Sequence, residues 1–339
     1  MEKKQDDNLL SVKELVVEYS SGNRVVHAVN GVSFDVKRGQ SLGLVGETGA
    51  GKTTIAKSIL RILPDPPAKI KSGSIIFDGQ DVMKYTKNEL RHFRGQKVSM
   101  IFQDPMTALN PVMRVGEQIT EVIQLHNKIS KKEAEKKAIE MMKMVNIPED
   151  RFREYPNQFS GGMKQRVVIA IALACNPDLL LADEPTTALD VTIQAQVLDL
   201  IKNLKDVKNT AMILITHDLG IVAEVCDMVA VVYSGQVVEY CTKEQLFDCP
   251  SHPYTIGLFK AMPDINSDAD RLNPITGTPP DPSNLPEGCY FHPRCPFAKD
   301  ECRQKRIELT NINGEGHFCR CCNIAAVMAS KEDRHGITY

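Results

Sequence analysis

No stretch of the 339 residues approaches the roughly 18 consecutive apolar residues that a membrane-crossing helix needs. The longest apolar runs, Val167 to Ala174 and Leu179 to Ala182, have lengths suited to buried helices or strands. An apolar leader is lacking too. Met1 to Asn8 is polar and charged, so a secretory signal is excluded and the chain is expected to stay in the cytoplasm. Any service to a membrane would then run through docking to other subunits. Charge of one sign is missing: 41 Lys and Arg stand against 43 Asp and Glu, a net −2. That balance gives no footprint for nucleic acid or for an acidic membrane surface. There are no internal repeats, no low-complexity tract and no sustained heptads. With 42% hydrophobic and 25% charged residues, the remainder is ordinary for a globular chain with a sizeable core. The length suits one large domain plus an appendage better than two equal domains.

Two short phosphate-reading motifs stand out. Gly46-Glu47-Thr48-Gly49-Ala50-Gly51-Lys52-Thr53 is a complete G-x-x-x-x-G-K-[ST], with Thr54 following. The apolar run Ser41 to Val45 leads into it, and a helical pattern from Thr53 to Leu63 leads out, ended by Pro64. That strand–loop–helix context is what the motif requires. Its glycines let several backbone N–H groups point into one concavity, and the helix adds its positive end. Lys52 can reach the β- and γ-phosphates of a nucleotide, and the Thr53 hydroxyl can ligate Mg²⁺. The second motif is Phe159-Ser160-Gly161-Gly162-Met163-Lys164-Gln165-Arg166. Ser160 offers a hydroxyl, the glycines let N–H groups approach closely, and a helix from near Met163 aims its positive end at an anion. Between the motifs and beyond them, Leu179 to Ala182 is a buried strand closing on Asp183 and Glu184. Carboxylates delivered beside a triphosphate suit Mg²⁺ at Asp183, mostly through water, and a water-polarising general base at Glu184.

The rest of the chain supports a layered α/β fold. Leu15 to Tyr19, Val32 to Val36, Ile75 to Phe77, Val98 to Phe102, Ala211 to Thr216 and Met228 to Tyr233 read as strands. Val115 to Val145 reads as highly charged helix and Met163 to Ala174 as another helix. Such runs separated by helices indicate a mostly parallel sheet covered on both faces. The lysines from Lys128 to Lys137 are interleaved with Glu133 and Glu135, as expected of a solvated helix face rather than a basic patch. Past Pro263 the composition changes. Pro274, Pro279, Pro280, Pro282 and Pro286 mark a loop-rich segment, so a boundary is placed near residue 264. The chain is read as 1–264 followed by an extension over 265–339.

Together the phosphate loop, the Ser-Gly-Gly segment and the Asp-Glu pair resemble the ATP-binding subunits of ATP-binding-cassette (ABC) transporters. The resemblance implies a P-loop NTPase with a RecA-like, mostly parallel core, an antiparallel β subdomain and a helical subdomain over about 104–165. It implies that Ser160, Gly161 and Gly162 cap the γ-phosphate held by the opposite subunit, although Phe159 and Met163 replace the commoner Leu and Gln. It further implies that Gln103 touches Mg²⁺ and the attacking water, and that Asp190, in Ala188-Leu189-Asp190, lies in the loop linking the two nucleotide sites. His217 would contact the γ-phosphate, and Tyr19 is the best candidate to stack on adenine. Phe102 to Gln118, Tyr155 to Met163, Asp183 to Thr192, His252-Pro253-Tyr254-Thr255 and Gly277-Thr278-Pro279-Pro280 narrow the likeness to oligopeptide/dipeptide importer ATPases. Such importers carry two ATPase subunits, here a paralogue or a second copy of this chain, two membrane permeases and an external peptide-binding protein. The chain would work at the cytoplasmic face of the membrane, hydrolysing ATP to drive peptide import, with no role for nucleic acid. A nickel or other small-solute importer of the same branch is the alternative within transport. A soluble ABC ATPase of DNA or ribosome work is disfavoured by the single cassette, and a metal-binding regulator with a vestigial ATPase by the intact Lys52, Asp183, Glu184 and His217.

Six of ten cysteines crowd the last 51 residues: Cys289, Cys295, Cys302, Cys319, Cys321 and Cys322. In a reducing compartment that argues for metal before disulfide. The spacing C-x5-C-x6-C-x16-C over Cys289, Cys295, Cys302 and Cys319 suits four thiolates around either tetrahedral zinc or an iron–sulfur cluster. Spacing alone does not choose between them, and Cys321 and Cys322 compete for the fourth place. The resemblance favours a 4Fe–4S cluster with a structural role, ahead of zinc or of thiols that bind nothing.

Overall fold

The computed structural model describes residues 7–187, 189–262 and 274–329. The boundary expected near residue 264 lies outside the described residues, as does Ala188.

The chain opens with a long antiparallel pair, β1 (Asn8–Ser21) and β2 (Arg24–Lys37). β3 (Ser41–Val45) runs into the phosphate loop and the helix Lys52–Ile59. β4 (Ala68–Phe77) returns to pair with β1, and β5 (Gln80–Asp81) closes a four-stranded antiparallel sheet in the order β2-β1-β4-β5. The expected strands at Leu15 to Tyr19 and Val32 to Val36 are the C-terminal parts of fourteen-residue strands. Glu14, held at φ 47°, shifts the β1 register between Val12 and Leu15. That irregularity breaks the alternation by which the full strand would have been recognised.

The remaining strands build the core sheet: β6 (Val98–Ile101), β7 (Leu179–Asp183), β8 (Ala211–Thr216), β9 (Met228–Tyr233), β10 (Gln236–Thr242), β11 (Thr310–Asn311) and β12 (Phe318–Cys319). Their order is β11-β12-β10-β9-β3-β8-β7-β6. β9, β3, β8, β7 and β6 are parallel, and β10, β12 and β11 extend the sheet antiparallel. Both faces are covered, as the apolar strands require. Leu180, Ala182, Met212, Leu214, Val229 and Val231 face one hydrophobic core. Leu179, Leu181, Ile213, Ile215, Ala230 and Val232 face the other, shared with the antiparallel sheet. Strand alternation thus feeds two cores at once, and almost no position in these strands can be polar.

Between β6 and β7 lie the helices Pro105–Ala108, Val115–His126, Lys131–Met144 and Gly161–Leu173. The stretch read as helical from Val115 to Val145 is therefore two helices. Ser130 accepts from the Glu133 N–H while the Glu133 carboxylate accepts from the Ser130 N–H. This reciprocal cap, written in the sequence as Ser-x-x-Glu, starts the second helix. Ala134, Ala138, Met141 and Met142 bury its inner face, leaving its lysines outward as expected.

The C-terminal extension does not hang free. β12 continues the core sheet through Glu239↔Cys319 and Tyr240↔Phe318. A two-residue strand is too short to carry any periodicity, so the sequence read this segment only as loop.

Candidate functional site

Parallel strands deliver their carboxyl ends to one edge of the sheet, where ligands of open α/β folds are bound. Register aligns those ends here. Val45 of β3 pairs with Thr216 of β8, Asp183 of β7 with Ile215, and Ile101 of β6 with Ala182. Gly46, Glu184 and His217, which directly follow their strands, and Gln103, one residue further past β6, therefore emerge at one edge.

The phosphate loop is held tightly from below. Gly51 has φ 98°, and a Cβ there would lie 2.3 Å from the Ala28 carbonyl oxygen. A Cβ on Gly46 would meet the Val232 carbonyl at 2.1 Å. Lys52 is buried, and its Nζ donates to the carbonyls of Gly46 at 2.6 Å and Glu47 at 3.0 Å. Burial pushes its pKa down, against the pull of Glu184 and Asp183. Thr53 Oγ1 donates to Asp183 at 3.1 Å. Burial pushes the Asp183 carboxyl up, and the Thr53 hydrogen bond pulls it back. Both shifts have the sign that an anion beside Lys52 and a cation beside Asp183 would oppose.

Glu184 is held from three sides. Gln103 Nε2 donates to it at 2.8 Å and the Thr187 hydroxyl at 3.0 Å. His217 Nδ1 lies 3.3 Å from the other oxygen. Its backbone sits in the left-handed region, at φ 45°. A glutamate accepts that strain only where its surroundings fix it, as happens at reacting centres. Here the fixing contact is the Glu184 N–H, which donates to the Ile215 carbonyl at 2.9 Å.

A cavity of about 220 Å³ opens over this arrangement, lined by Thr48 through Thr54, Gln103 and Glu184 together with Val26, Ala28 and Pro282. Tyr19 is half-buried on β1 with its hydroxyl 3.4 Å from that of Thr54, next to the cavity rather than in its lining. Pro282 was not expected. It comes from the extension, where the His27 N–H donates to its carbonyl and Arg24 pairs with Asp281. No local signal in a proline-rich loop says where it will dock.

Ser160 and Asp190 are helix caps, accepting from the N–H groups of Met163 and Ile193. Both are exposed, and Ser160, Gly161 and Gly162 do not line the phosphate-loop cavity of their own chain.

The cysteines divide. Cys289, Cys295, Cys302, Cys321 and Cys322 line a narrow pocket of about 10 Å³ beside Phe291 and Phe297. Cys302 and Cys322 bring their sulfurs within 3.4 Å. Cys319, expected as the fourth ligand, does not line it. It is fully buried on β12 opposite Glu239. Cys319 is taken up by the pairing with β10 of β12, a strand of two residues that the cysteine spacing does not reveal.

Glu239, Cys241 and His317 form a second buried group, with donor atoms within 4.8 Å of one another. The Glu239 carboxylate already accepts from the N–H groups of Ser251 at 2.6 Å and His252 at 2.9 Å, and His317 Nε2 lies at 2.8 Å. Its oxygens are engaged by hydrogen bonds that anchor the extension to β10, which is a structural use. Glu239→Ala would leave two buried N–H groups and a buried imidazole without their acceptor. The expected loss is about 3 kcal/mol or more, read from urea unfolding, and a change below about 1 kcal/mol would refute this role.

Solved structures with this arrangement are ABC cassettes. The dimeric, post-hydrolysis ATP-binding cassette MJ0796 bound to ADP and Pi is 28% identical, with a TM-score of 0.62 over 69% of this chain and 98% of that one. CbiO1 of Clostridium perfringens, part of an ABC transporter complex, is 28% identical, with a TM-score of 0.62 over 72% of this chain and 92% of that one. The fold is therefore the P-loop ABC ATPase fold. The ABC transporter family matches residues 29–187, and the oligopeptide/dipeptide transporter C-terminal region matches 238–302. The oligopeptide transport ATP-binding protein AppD of Bacillus subtilis is 49% identical over 92% of this chain and 96% of that protein. The dipeptide transport ATP-binding protein DppD of the same organism is 49% identical over 93% and 94%, and OppD of Escherichia coli K12 is 48% identical over 88% of each. This chain belongs to the family of oligopeptide/dipeptide ABC transport ATP-binding proteins. Among its described residues no helix is long and apolar enough to cross a membrane.

Proposed function

We propose that this chain is an ATP-hydrolysing subunit that powers import of dipeptides or oligopeptides through an ABC transporter. The observation that carries the chemistry is Glu184, gripped by Gln103, Thr187 and His217 beside the Thr53–Asp183 pair. Similarity to peptide-transport subunits through both cassette and extension carries the substrate class.

In this reading Gly46 through Thr54 cradle the phosphates of ATP and Lys52 turns from its two carbonyls to the β- and γ-oxygens. Thr53, Asp183 and Gln103 would hold Mg²⁺, which neutralises charge on the triphosphate. Glu184 accepts a proton from water as the water oxygen attacks the γ-phosphorus. The bond to the β-bridging oxygen breaks, and ADP and phosphate leave. His217 steadies the γ-phosphate. Tyr19, with Val26, Ala28 and Pro282, borders the base. Ser160, Gly161 and Gly162 complete the site of a second subunit in a head-to-tail pair, and Asp190 lies in the link between the two sites. The partner is a paralogue or another copy of this chain. Closing and opening of the pair would move two permease subunits docked on the helical region of about 104–165. The subunit would work peripherally at the cytoplasmic face, supplied by an external peptide-binding protein. The cassette over 1–264 would carry the chemistry and the extension over 265–339 would brace it.

We further propose that Cys289, Cys295, Cys302 and Cys321 of the extension hold a 4Fe–4S cluster. What supports this reading is that Cys289, Cys295, Cys302 and Cys321 line one pocket. Burial pushes the thiols of Cys295 and Cys321 up to about 11 and about 12, so this pocket holds thiolates only beside a strong cation. The cluster would close loops that have little core of their own.

Uptake of labelled dipeptides and oligopeptides, with nickel uptake alongside, tests the transport reading in cells carrying Glu184→Gln beside the parent. Peptide uptake is expected to fall to background with nickel unchanged. Loss of nickel uptake with peptide uptake intact would reverse the substrate assignment.

A further inference from the structure

The extension reaches the phosphate loop through one side chain that no motif singles out. Arg294 lies in the tight turn His292–Arg294, between Cys289 and Cys295, and only 5% of its side chain is exposed. Its guanidinium spans both carboxylate oxygens of Glu47, Nη1 to Oε2 at 2.9 Å and Nη2 to Oε1 at 3.1 Å. Nε donates to the Thr276 carbonyl at 3.1 Å, and the two remaining donors face the Ile275 carbonyl and the Tyr233 hydroxyl at 3.4 Å each. Every donor on the fork is used. A two-toothed, half-buried pair of this kind fixes angle as well as distance, which a lysine cannot do.

Glu47 is the second residue of the phosphate loop, and four groups hold it. Arg294 holds its carboxylate. Its N–H donates to the Tyr254 hydroxyl at 2.9 Å. Its carbonyl accepts from Lys52 Nζ at 3.0 Å and from the Ala50 N–H at 3.1 Å. A short chain of contacts therefore runs from Arg294 through Glu47 to the lysine of the phosphate loop. The far end of that chain rests on the cysteine-lined turn. The His292 N–H donates to the Cys289 carbonyl at 3.0 Å, the Cys295 N–H to the His292 carbonyl at 3.3 Å, and Phe291 packs on Tyr233 and Tyr254 with ring centroids 5.2 and 5.5 Å apart.

We propose that Arg294 is a positioning residue for the phosphate loop, acting through Glu47, so that the cysteine-lined turn of the extension sets nucleotide affinity. The proposal rests on ATP binding at the phosphate loop. It differs from a plain brace, which would change stability without changing affinity.

Equilibrium binding of MgATP to the full chain tests it, with kcat and KM measured in the assembled transporter and unfolding temperature recorded for each variant. Arg294→Gln and Glu47→Gln are each expected to weaken MgATP binding about tenfold. KM should rise in step, with kcat changing less than about twofold. The double variant is expected to be no weaker than the worse single one, because both remove the same contact. Arg294→Lys keeps the charge but not the fork, and should fall between parent and Arg294→Gln. It also keeps the test alive if Arg294→Gln folds poorly. Unchanged affinity in variants that fold, or losses that add in the double variant, would overturn the proposal. A parent chain that fails to bind MgATP would instead remove the nucleotide reading on which it rests.

Discussion

Replacing Glu184 with glutamine is expected to lower ATP turnover by about 10²-fold or more while leaving MgATP binding intact. The substitution keeps the shape of the side chain and removes only its ability to take a proton. The backbone at φ 45° needs no change, because it is fixed by the Glu184 N–H and the Ile215 carbonyl rather than by the carboxylate. Lys52, Thr53 and Asp183 keep their mutual contacts, so the triphosphate cradle is untouched. Gln103, Thr187 and His217 lose a charged partner at an exposed edge, where water can replace it. With binding preserved and chemistry stalled, a head-to-tail pair should accumulate with ATP, visible as a dimer by size-exclusion chromatography. Phosphate release and MgATP affinity are the two measurements. Parent-like phosphate release would show that Glu184 is not the base. Loss of MgATP binding would show that the variant had damaged the cradle instead.

What the sequence made legible follows from how locally each feature is encoded. The phosphate loop is eight consecutive residues between a strand and a helix, and it occupies that place. β7, β8 and β9 are apolar at almost every position because both faces of the core sheet are buried, so their limits could be read closely. The gathering of Gln103, Glu184 and His217 needs only that their strands be parallel neighbours. Other features are set by partners far along the chain. Glu14 shifts the register of β1 against two strands at once, which hid its full length. Pro282 borders the nucleotide cavity because the extension folds back more than 200 residues, beside Val26 and Ala28. Arg294 looks like any arginine in a cysteine-rich loop until its distance to Glu47 is known. The Ser130–Glu133 cap is a different case, being written in four consecutive residues and passed over because the charged helical pattern continued around it.

On the proposed assignment of a cluster to the extension, changing Cys321 to serine should empty the centre, whereas changing Cys319 to serine should leave it filled. Of the two, only Cys321 lines the space shared by Cys289, Cys295 and Cys302. Cys319 sits on β12 in register with Glu239, at the antiparallel end of the core sheet. A serine at 321 removes one of the four proposed thiolate ligands and leaves an alcohol that binds iron or zinc far more weakly. Cys322 is exposed at the rim with its sulfur 3.4 Å from that of Cys302, so Cys322→Ser is the control for a substitute ligand. Protein purified without oxygen should contain iron and acid-labile sulfide in the parent and in Cys319→Ser and Cys322→Ser, and neither in Cys321→Ser. Zinc without sulfide in the parent would replace the cluster with a single ion and keep the ligand set. Loss of the centre in Cys319→Ser, with Cys321→Ser filled, would restore the spacing-based quartet. Because the turn between Cys289 and Cys295 carries Arg294, the emptied Cys321→Ser protein should also bind MgATP more weakly than the parent. Cys319→Ser should not, which separates an effect of the centre from a general loss of cysteine.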